Sequence, residues 1–215
     1  MSVISSSLRK EYTQSKLMET DLEPNPFDQF HKWFNDAVSA ELPLPNAMTL
    51  GTVKQDQTPA ARVVLLKELD QRGFVFYTNY ESRKSREIIQ TGKGAICFYW
   101  KSLNRQVRLV GNLEKVSDEV SDKYYQSRSK GSRIGAWASK QSRELESREL
   151  LMQQVKSFEE KYNDNDIPRP SFWGGFGLKP EEFEFWEDGD FRLHDRFILK
   201  PTDVKNEWIA KRHYP

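Results

Sequence analysis

Between Ala47 and Val116 the chain is a succession of short β-type runs broken by turn residues, and this limits its fold more than any other feature. Met48–Lys54, Ala60–Glu68, Phe74–Thr78, Gly94–Lys101 and Gln106–Val116 are rich in β-branched and aromatic side chains, which suit a pleated, half-buried surface. Polar tetrads such as Asp70-Gln71-Arg72-Gly73 separate several of them. One interruption, Ser82–Gln90 ended by Gly92, reads as a short helix. Consecutive strands on short connections predict an antiparallel meander that closes into a barrel. Upstream, Asn25-Pro26 supplies a cap and a first-turn proline for a helix carrying Phe27, Phe30, Phe34, Val38 and Leu42. That aromatic stripe is read as core rather than as a cofactor box, and Pro43 and Pro45 stop the helix. Downstream, helices are expected over Asp118–Arg128 and Arg143–Tyr162, with an intervening stretch at Ile134–Ala138. Returning strands follow at Phe172–Leu178, Phe183–Trp186, Phe191–Lys200 and Glu207–Lys211. The class expected is mainly β with flanking α-helices (α+β). Residues 1–22, polar and Ser-rich, are expected to form a mobile N-terminal arm, and 23–215 a single domain.

Charge narrows the function. The 33 Lys and Arg against 32 Asp and Glu leave a net charge of +1, so no bulk field draws nucleic acid or an anionic membrane, and neither is expected as a partner. Any phosphate binding must be local. One cysteine, Cys97, sits in an apolar run and cannot form an internal bridge. Three scattered histidines give no zinc spacing, so no metal is expected. With neither a signal peptide nor an apolar stretch long enough for a bilayer, the expected location is the cytoplasm. Gly-rich phosphate loops, the Rossmann fingerprint, the Walker motif and a nucleophile elbow are all missing. Gly174, Gly175 and Gly177 read as strand kinks or bulges.

Four segments carry candidate chemistry. In Arg192-Leu193-His194-Asp195-Arg196, strand alternation would put Arg192, His194 and Arg196 on one face, suited to an anionic or electron-rich ligand; a solvated edge strand with a basic stripe fits the same pattern. Tyr124 and Arg128, four apart on the expected helix, share a face, and Ser132 lies four further on unless Gly131 breaks the helix first. Together they make a cradle for a phosphate monoester; an amphipathic helix with unconnected polar residues is the plain alternative. Arg83 and Lys84 open the short helix after Asn79, where free N–H groups and the dipole already favour an anion. Arg62-Val63-Val64-Leu65-Leu66-Lys67 reads as a strand buried on both faces with a charge at each end, serving two ligands or marking where the strand meets water.

In order along the chain, several motifs together resemble the pyridoxamine 5′-phosphate oxidase family. They are Leu8-Arg9-Lys10-Glu11-Tyr12, Arg62–Lys67, Phe76-Tyr77-Thr78-Asn79 with Ser82-Arg83-Lys84, and Ile134-Gly135-Ala136-Trp137 with Ser139-Lys140-Gln141-Ser142. Ser171-Phe172-Trp173-Gly174-Gly175-Phe176, Phe183-Glu184-Phe185-Trp186 and Arg192–Arg196 complete the set. The resemblance implies an FMN-binding split β-barrel working as a homodimer with its active sites at the subunit interface. It implies FMN contacts from Arg62, Val63, Val64, Leu65, Leu66, Lys67, Tyr77, Thr78, Arg83, Lys84, Gln106, Gln141, Ser142, Trp186 and Arg196. Of these, Arg62, Arg83, Lys84 and Ser142 suit the phosphate, and Gln106, Trp186 and Arg196 the ring system. The substrate phosphate would fall to Lys67, Tyr124, Arg128 and Ser132. Arg192 and His194, the catalytic candidates, would lie with Leu193 over the substrate ring, and the arm residues Arg9, Lys10, Glu11 and Tyr12 would close over it. The family usually has Pro, Arg and Gln where this chain has Ser129, Lys130 and Arg133, which changes the local loop, and the end Arg212-His213-Tyr214-Pro215 is variant too.

The chemistry implied is hydride transfer from substrate C4′ to flavin N5, turning the phosphates of pyridoxamine and pyridoxine into pyridoxal 5′-phosphate. Dioxygen would then be reduced to hydrogen peroxide, and ammonia released from the amine. Two rival readings remain: another split-barrel flavoprotein, such as a flavin reductase or a non-catalytic flavin-binding protein, and a non-catalytic pyridoxal phosphate carrier.

Overall fold

The computed structural model describes residues 16–163 and 166–215, so the arm segment Arg9–Tyr12 lies outside the described residues. Along the chain come α1 (Pro26–Ser39), β1 (Ala47–Val53), β2 (Pro59–Leu65), β3 (Glu68–Asp70), β4 (Gly73–Asn79), α2 (Arg83–Thr91), β5 (Lys93–Trp100) and β6 (Arg105–Lys115). Then follow α3 (Asp118–Ser127), α4 (Lys130–Ala138), α5 (Arg148–Tyr162), β7 (Trp173–Glu187), β8 (Asp195–Pro201) and β9 (Trp208–Arg212). Among the described residues each of these five α-helices starts on a side chain that accepts from its first turn: Asn25, Ser82, Ser117, Ser129 and Ser147. Such a cap is worth about 1 kcal/mol. The Ser147 cap explains why α5 begins at Arg148, later than expected. In α1 the buried residues are Pro26, Gln29, Phe30, Trp33 and Ala37, and Val38 is 49% exposed. The core stripe therefore passes through Trp33 rather than Val38, because 3.6 residues per turn carries Val38 round to the open side.

Among the described residues nine strands form one sheet in the order β2-β1-β5-β6-β7-β4-β3, with β8 on β7 and β9 on β8. Neighbours β3–β4, β4–β7, β7–β8 and β8–β9 are antiparallel. The order is not the meander expected from the short connections, since β1 lies beside β5 and β4 beside β7. β2 ends that order, and its residues alternate between exposed and half-buried. The Arg62–Lys67 segment is therefore not buried on both faces; an end strand has only one neighbour to cover it. The two strands expected around Pro180 are one, β7, which runs unbroken from Trp173 to Glu187. Its pairing with β4 is one-to-one from Asn79↔Trp173 to Phe74↔Leu178, so Gly174, Gly175 and Gly177 are not bulges.

The described residues divide into two compact units, one drawn from 16–48, 96–110 and 181–215 and the other from 49–95, 111–163 and 166–180. In the first, Phe30 packs on Phe98 at 5.0 Å and Trp33 meets Phe185 edge-on at 5.3 Å. In the second, Tyr125, Ile134, Ala136, Ile167 and Trp173 form a buried cluster, with Trp137, Phe158 and Tyr162 packed against it. Each such side chain stabilises by roughly 2 kcal/mol through apolar area removed from water. Among the described residues no helix is long and apolar enough to cross a membrane.

Candidate active site

The start of α2 gathers several of the expected cofactor residues. Asn79 ends β4 and its side chain accepts from the Glu81 N–H at 2.7 Å, turning the chain so that Ser82 caps α2. Arg83 and Lys84 then occupy a first turn that holds no acid. Lys84 Nζ donates to Gln141 Oε1 at 2.7 Å, Thr78 Oγ1 at 2.9 Å and Ser82 Oγ at 3.1 Å, all of them neutral. Thr78 Oγ1 also lies 3.0 Å from Gln141 Oε1. Burial, aided by the charge of Arg62, pushes the Lys84 ammonium down to about 8. Ser142, next to Gln141, holds a left-handed backbone at φ +69°.

Arg62 and Arg83 are differently placed, because each meets the buried carboxylate of Glu87 at 3.0 Å. Arg62 also donates to the Leu50 carbonyl at 3.1 Å and to the Thr52 hydroxyl. Burial alone would raise Glu87, but hydrogen bonds from Thr52, Arg83 and Arg62 outweigh it and hold the carboxyl below its ordinary value. Glu87 thus pairs directly with two cations, one charge against two, while Lys84 feels that carboxylate only at a distance and has neutral hydrogen-bond partners. A phosphate monoester would supply a direct counter-charge, on a helix N-terminus whose free N–H groups also favour it. The residues present fit a phosphate-bearing cofactor.

A second group is built on β4, α3 and β7. The rings of Tyr77 and Tyr124 stack at 3.8 Å and 8°, and Trp173 lies parallel to Tyr77 at 5.6 Å and 10°. Tyr77 is the cross-strand partner of Gly175, and a Cβ there would lie 2.9 Å from the Tyr77 ring and 2.7 Å from Val116. The glycine is thus a close-approach position that lets the stack form. Burial and the Glu68 carboxylate, which accepts from Tyr77 Oη at 2.8 Å, push the Tyr77 hydroxyl well up. Arg128 is not on the helix face of Tyr124, because α3 ends at Ser127 and Arg128 is extended at φ −77° and ψ 150°. Its guanidinium instead lies 4.5 Å from the Trp173 ring centroid. Burial lowers its pKa, and its buried Nη1 has no hydrogen-bond partner. An unmade buried hydrogen bond costs about 1–3 kcal/mol, a deficit that an anion would remove.

Two other members of the expected cradle are not joined to Arg128. Ser129 breaks the helix before Gly131 and caps α4, and the Ser132 hydroxyl is held by Ser129 Oγ at 2.9 Å. The variant loop thus has a structural role for its serine. Lys67 is exposed in the link after β2, with its backbone N–H on the Val75 carbonyl at 2.8 Å.

Trp186, His194 and Arg196 fall in the first unit. Trp186 and Arg196 are cross-strand partners. Arg196 Nε and Nη2 grip Glu184 Oε2 at 2.8 and 2.6 Å, and Arg108 joins the same carboxylate, which is 3% exposed. The His194 ring lies 4.6 Å from the Trp186 ring. Alternation across Arg192, His194 and Arg196 does not occur, since Asp190–Arg192 is a 3₁₀ turn and β8 begins only at Asp195. Phe191 and Arg192 have φ of +55° and +66°, two successive non-glycine residues in a left-handed region, a strain found where surrounding structure enforces it. Arg192 and Leu193 are exposed, and Gln106 is half-buried on β6. The sequence reading missed the acids Glu68, Glu87, Glu184 and Asp188. Only Glu87, four residues after Arg83, carried a local signal.

The mainly antiparallel sheet flanked by helices is of the split-barrel class. A PhzG from Burkholderia lata 383, solved in complex with tetrahydrophenazine-1-carboxylic acid, superposes with a TM-score of 0.85 at 29% identity, covering 93% of this chain and 98% of that one. A pyridoxamine 5′-phosphate oxidase-related, FMN-binding protein from Nostoc punctiforme PCC 73102 shares the fold at a TM-score of 0.70 and 17% identity, over 90% of this chain and 100% of that one. The profile of the pyridoxamine 5′-phosphate oxidase family matches residues 34–162, and that of the pyridoxine 5′-phosphate oxidase C-terminal dimerisation region matches 173–215. A pyridoxine/pyridoxamine 5′-phosphate oxidase of Gloeothece citriformis (strain PCC 7424) is 50% identical over 208 residues, 97% of each chain. This chain belongs to the pyridoxamine 5′-phosphate oxidase family and is an oxidoreductase.

Proposed function

We propose that the chain oxidises pyridoxamine 5′-phosphate and pyridoxine 5′-phosphate to pyridoxal 5′-phosphate, with FMN as cofactor and dioxygen as final acceptor. Hydrogen peroxide is released, with ammonia from the amine, in vitamin B6 biosynthesis and salvage. The observation that carries this reading is the presence of two separate under-compensated cations, Lys84 with only neutral partners and Arg128 with an unpartnered buried Nη1. Two phosphate-bearing ring systems need two such anchors.

In this reading Lys84, Arg62, Arg83 and Ser142 hold the FMN phosphate, with Thr78 and Gln141 fixing the ammonium between them. Gln106, Trp186 and Arg196 meet the ring system, and Val63, Val64, Leu65, Leu66, Lys67 and Tyr77 complete the cofactor wall. Bound FMN supplies the acceptor for the hydride from C4′ and the route for those electrons to dioxygen. Arg128, Tyr124, Lys67 and Ser132 hold the substrate phosphate. That remote grip provides the anchoring energy which aligns the reacting carbon. Arg192 orients the ring and favours electron-rich character at C4′, and His194 is a second orienting group. Arg9, Lys10, Glu11 and Tyr12 belong to the same substrate-binding set.

We also propose a homodimer with its sites at the subunit interface. The match of residues 173–215 to a dimerisation region supports it. So does the exposure of Phe191 and Leu193, at 92% and 70%, apolar surface beside Arg192 that a second copy would cover. The test is peroxide release by the FMN-loaded protein on adding pyridoxamine 5′-phosphate in air. Peroxide supports the oxidase. Retained FMN without peroxide points to a reductase or a non-catalytic flavoprotein, and failure to retain FMN points to a pyridoxal phosphate carrier.

A further inference from the structure

We propose that Asp188 is a positioning residue that fixes the tautomer of His194, placing the proton on Nδ1 and leaving Nε2 to accept a hydrogen bond from the substrate amine or hydroxyl. The inference rests on the functional reading above for what His194 does, but the contact itself stands on geometry.

β7 ends at Glu187 and β8 begins at Asp195, so Asp188 to His194 form the connection between two paired strands. The connection is drawn tight. The Asp188 N–H donates to the Asn104 carbonyl at 2.9 Å, and the Leu193 N–H closes onto the Asp190 carbonyl at 2.9 Å. Gly189 has no Cβ, and one there would collide with the Leu193 carbonyl oxygen. Phe191 and Arg192 complete the turn with positive φ.

The result is an Asp188 Oδ1 to His194 Nδ1 separation of 2.7 Å between side chains only 18% and 20% exposed. At that distance a proton must lie between the two atoms, because two lone pairs would repel. The Gly189 N–H is also 3.2 Å from Nδ1. One imidazole nitrogen cannot donate to a carboxylate and accept from an amide at once, and the shorter, charge-assisted contact prevails. With Nδ1–H engaged, the neutral ring carries its lone pair on Nε2. The Trp186 ring, 4.6 Å away and tilted by 44°, packs against the imidazole and limits its rotation. Asp188 does not touch the reacting atoms in this account; it acts through His194.

The test is a pair of measurements on the FMN-loaded protein. Long-range proton–nitrogen NMR correlation at a pH where the ring is neutral reads the tautomer, and with three histidines in the chain a His194→Asn sample assigns the signal. The expected wild-type pattern is Nδ1–H, changing to Nε2–H in Asp188→Ala. Steady-state turnover of pyridoxamine 5′-phosphate is expected to show kcat falling about 10-fold, the scale of a charged hydrogen bond, with KM moving far less. Should Asp188→Ala lose its flavin absorbance, the similarly shaped Asp188→Leu serves instead, since it fills the same space with no atom that can accept from Nδ1. An Nε2–H tautomer in the wild type, an Nδ1–H tautomer that survives loss of the carboxylate, or an unchanged kcat each overturns the proposal. If the wild type itself does not oxidise the substrate, the functional reading fails, and the NMR comparison still decides the contact.

Discussion

A cation taken out of water without a counter-charge is disfavoured, which makes Lys84 and Arg128 the side chains of most interest at the scale of single residues. Arg128→Ala is expected to raise KM for pyridoxamine 5′-phosphate by ~10- to 100-fold, the equivalent of about 1.5–3 kcal/mol for a charged hydrogen bond, with kcat less affected. An unchanged KM in steady-state kinetics would reject the role given to Arg128. Lys84 gives a pH prediction. Its folded value of about 8 lies below the ordinary 10.5, so above pH 8 the phosphate must bind a site that has lost its proton. FMN affinity, read by quenching of flavin fluorescence, is expected to fall by up to about tenfold per pH unit above that point. The sign for the flavin-free fold is the reverse: Lys84 holds its proton more weakly folded than unfolded. Its contribution to stability is fully present above 10.5 and is lost as pH falls through about 8. The basic residues of both proposed anchors stood out in the sequence, because a Lys in a first helical turn and an Arg near a Tyr are local patterns. The acids that distinguish them were not. Glu184 meets Arg108 only because β6 and β7 are neighbours, and Asp188 reaches His194 only through a left-handed turn.

At the scale of elements, β4 and β7 set the ring stack, and Gly175 is the position on which it depends. Gly175→Ala is expected to destabilise the protein by about 1–3 kcal/mol through overpacking against Tyr77 and Val116. It should also raise KM, because the displaced Tyr77 ring moves Tyr124. Urea unfolding with parallel kinetics checks both, and a fully stable variant with native KM would show that the rings have room to spare. The sequence suggested kinks here because glycine in a strand more often marks irregularity than close approach, and only the register with β4 separates the two. Helix starts were more legible, since a capping side chain acts within its own first turn. Asn25 before Pro26 could be read directly, and the start expected at Ser82 is one residue early because Ser82 is itself the cap. The end of α3 was read to within one residue, Arg128 against Ser127, but the start of α4 at Lys130 was not, because Ser129 as a cap competes with its reading as part of a loop.

At the scale of the whole molecule, the mainly antiparallel class was legible from strand composition, but the strand order was not. Tyr77 pairs with Gly175 across nearly half the chain, and no local signal specifies a partner that distant. The account joins two anchors, one for each phosphate, to a reaction at a carbon that neither touches. Anaerobic mixing of the FMN-loaded protein with pyridoxamine 5′-phosphate tests this most directly, with the visible flavin band followed over time. The prediction is bleaching by the phosphorylated amine at concentrations where pyridoxamine without its phosphate leaves the band unchanged. A band that persists with the phosphorylated amine, or that bleaches equally with both, would contradict it.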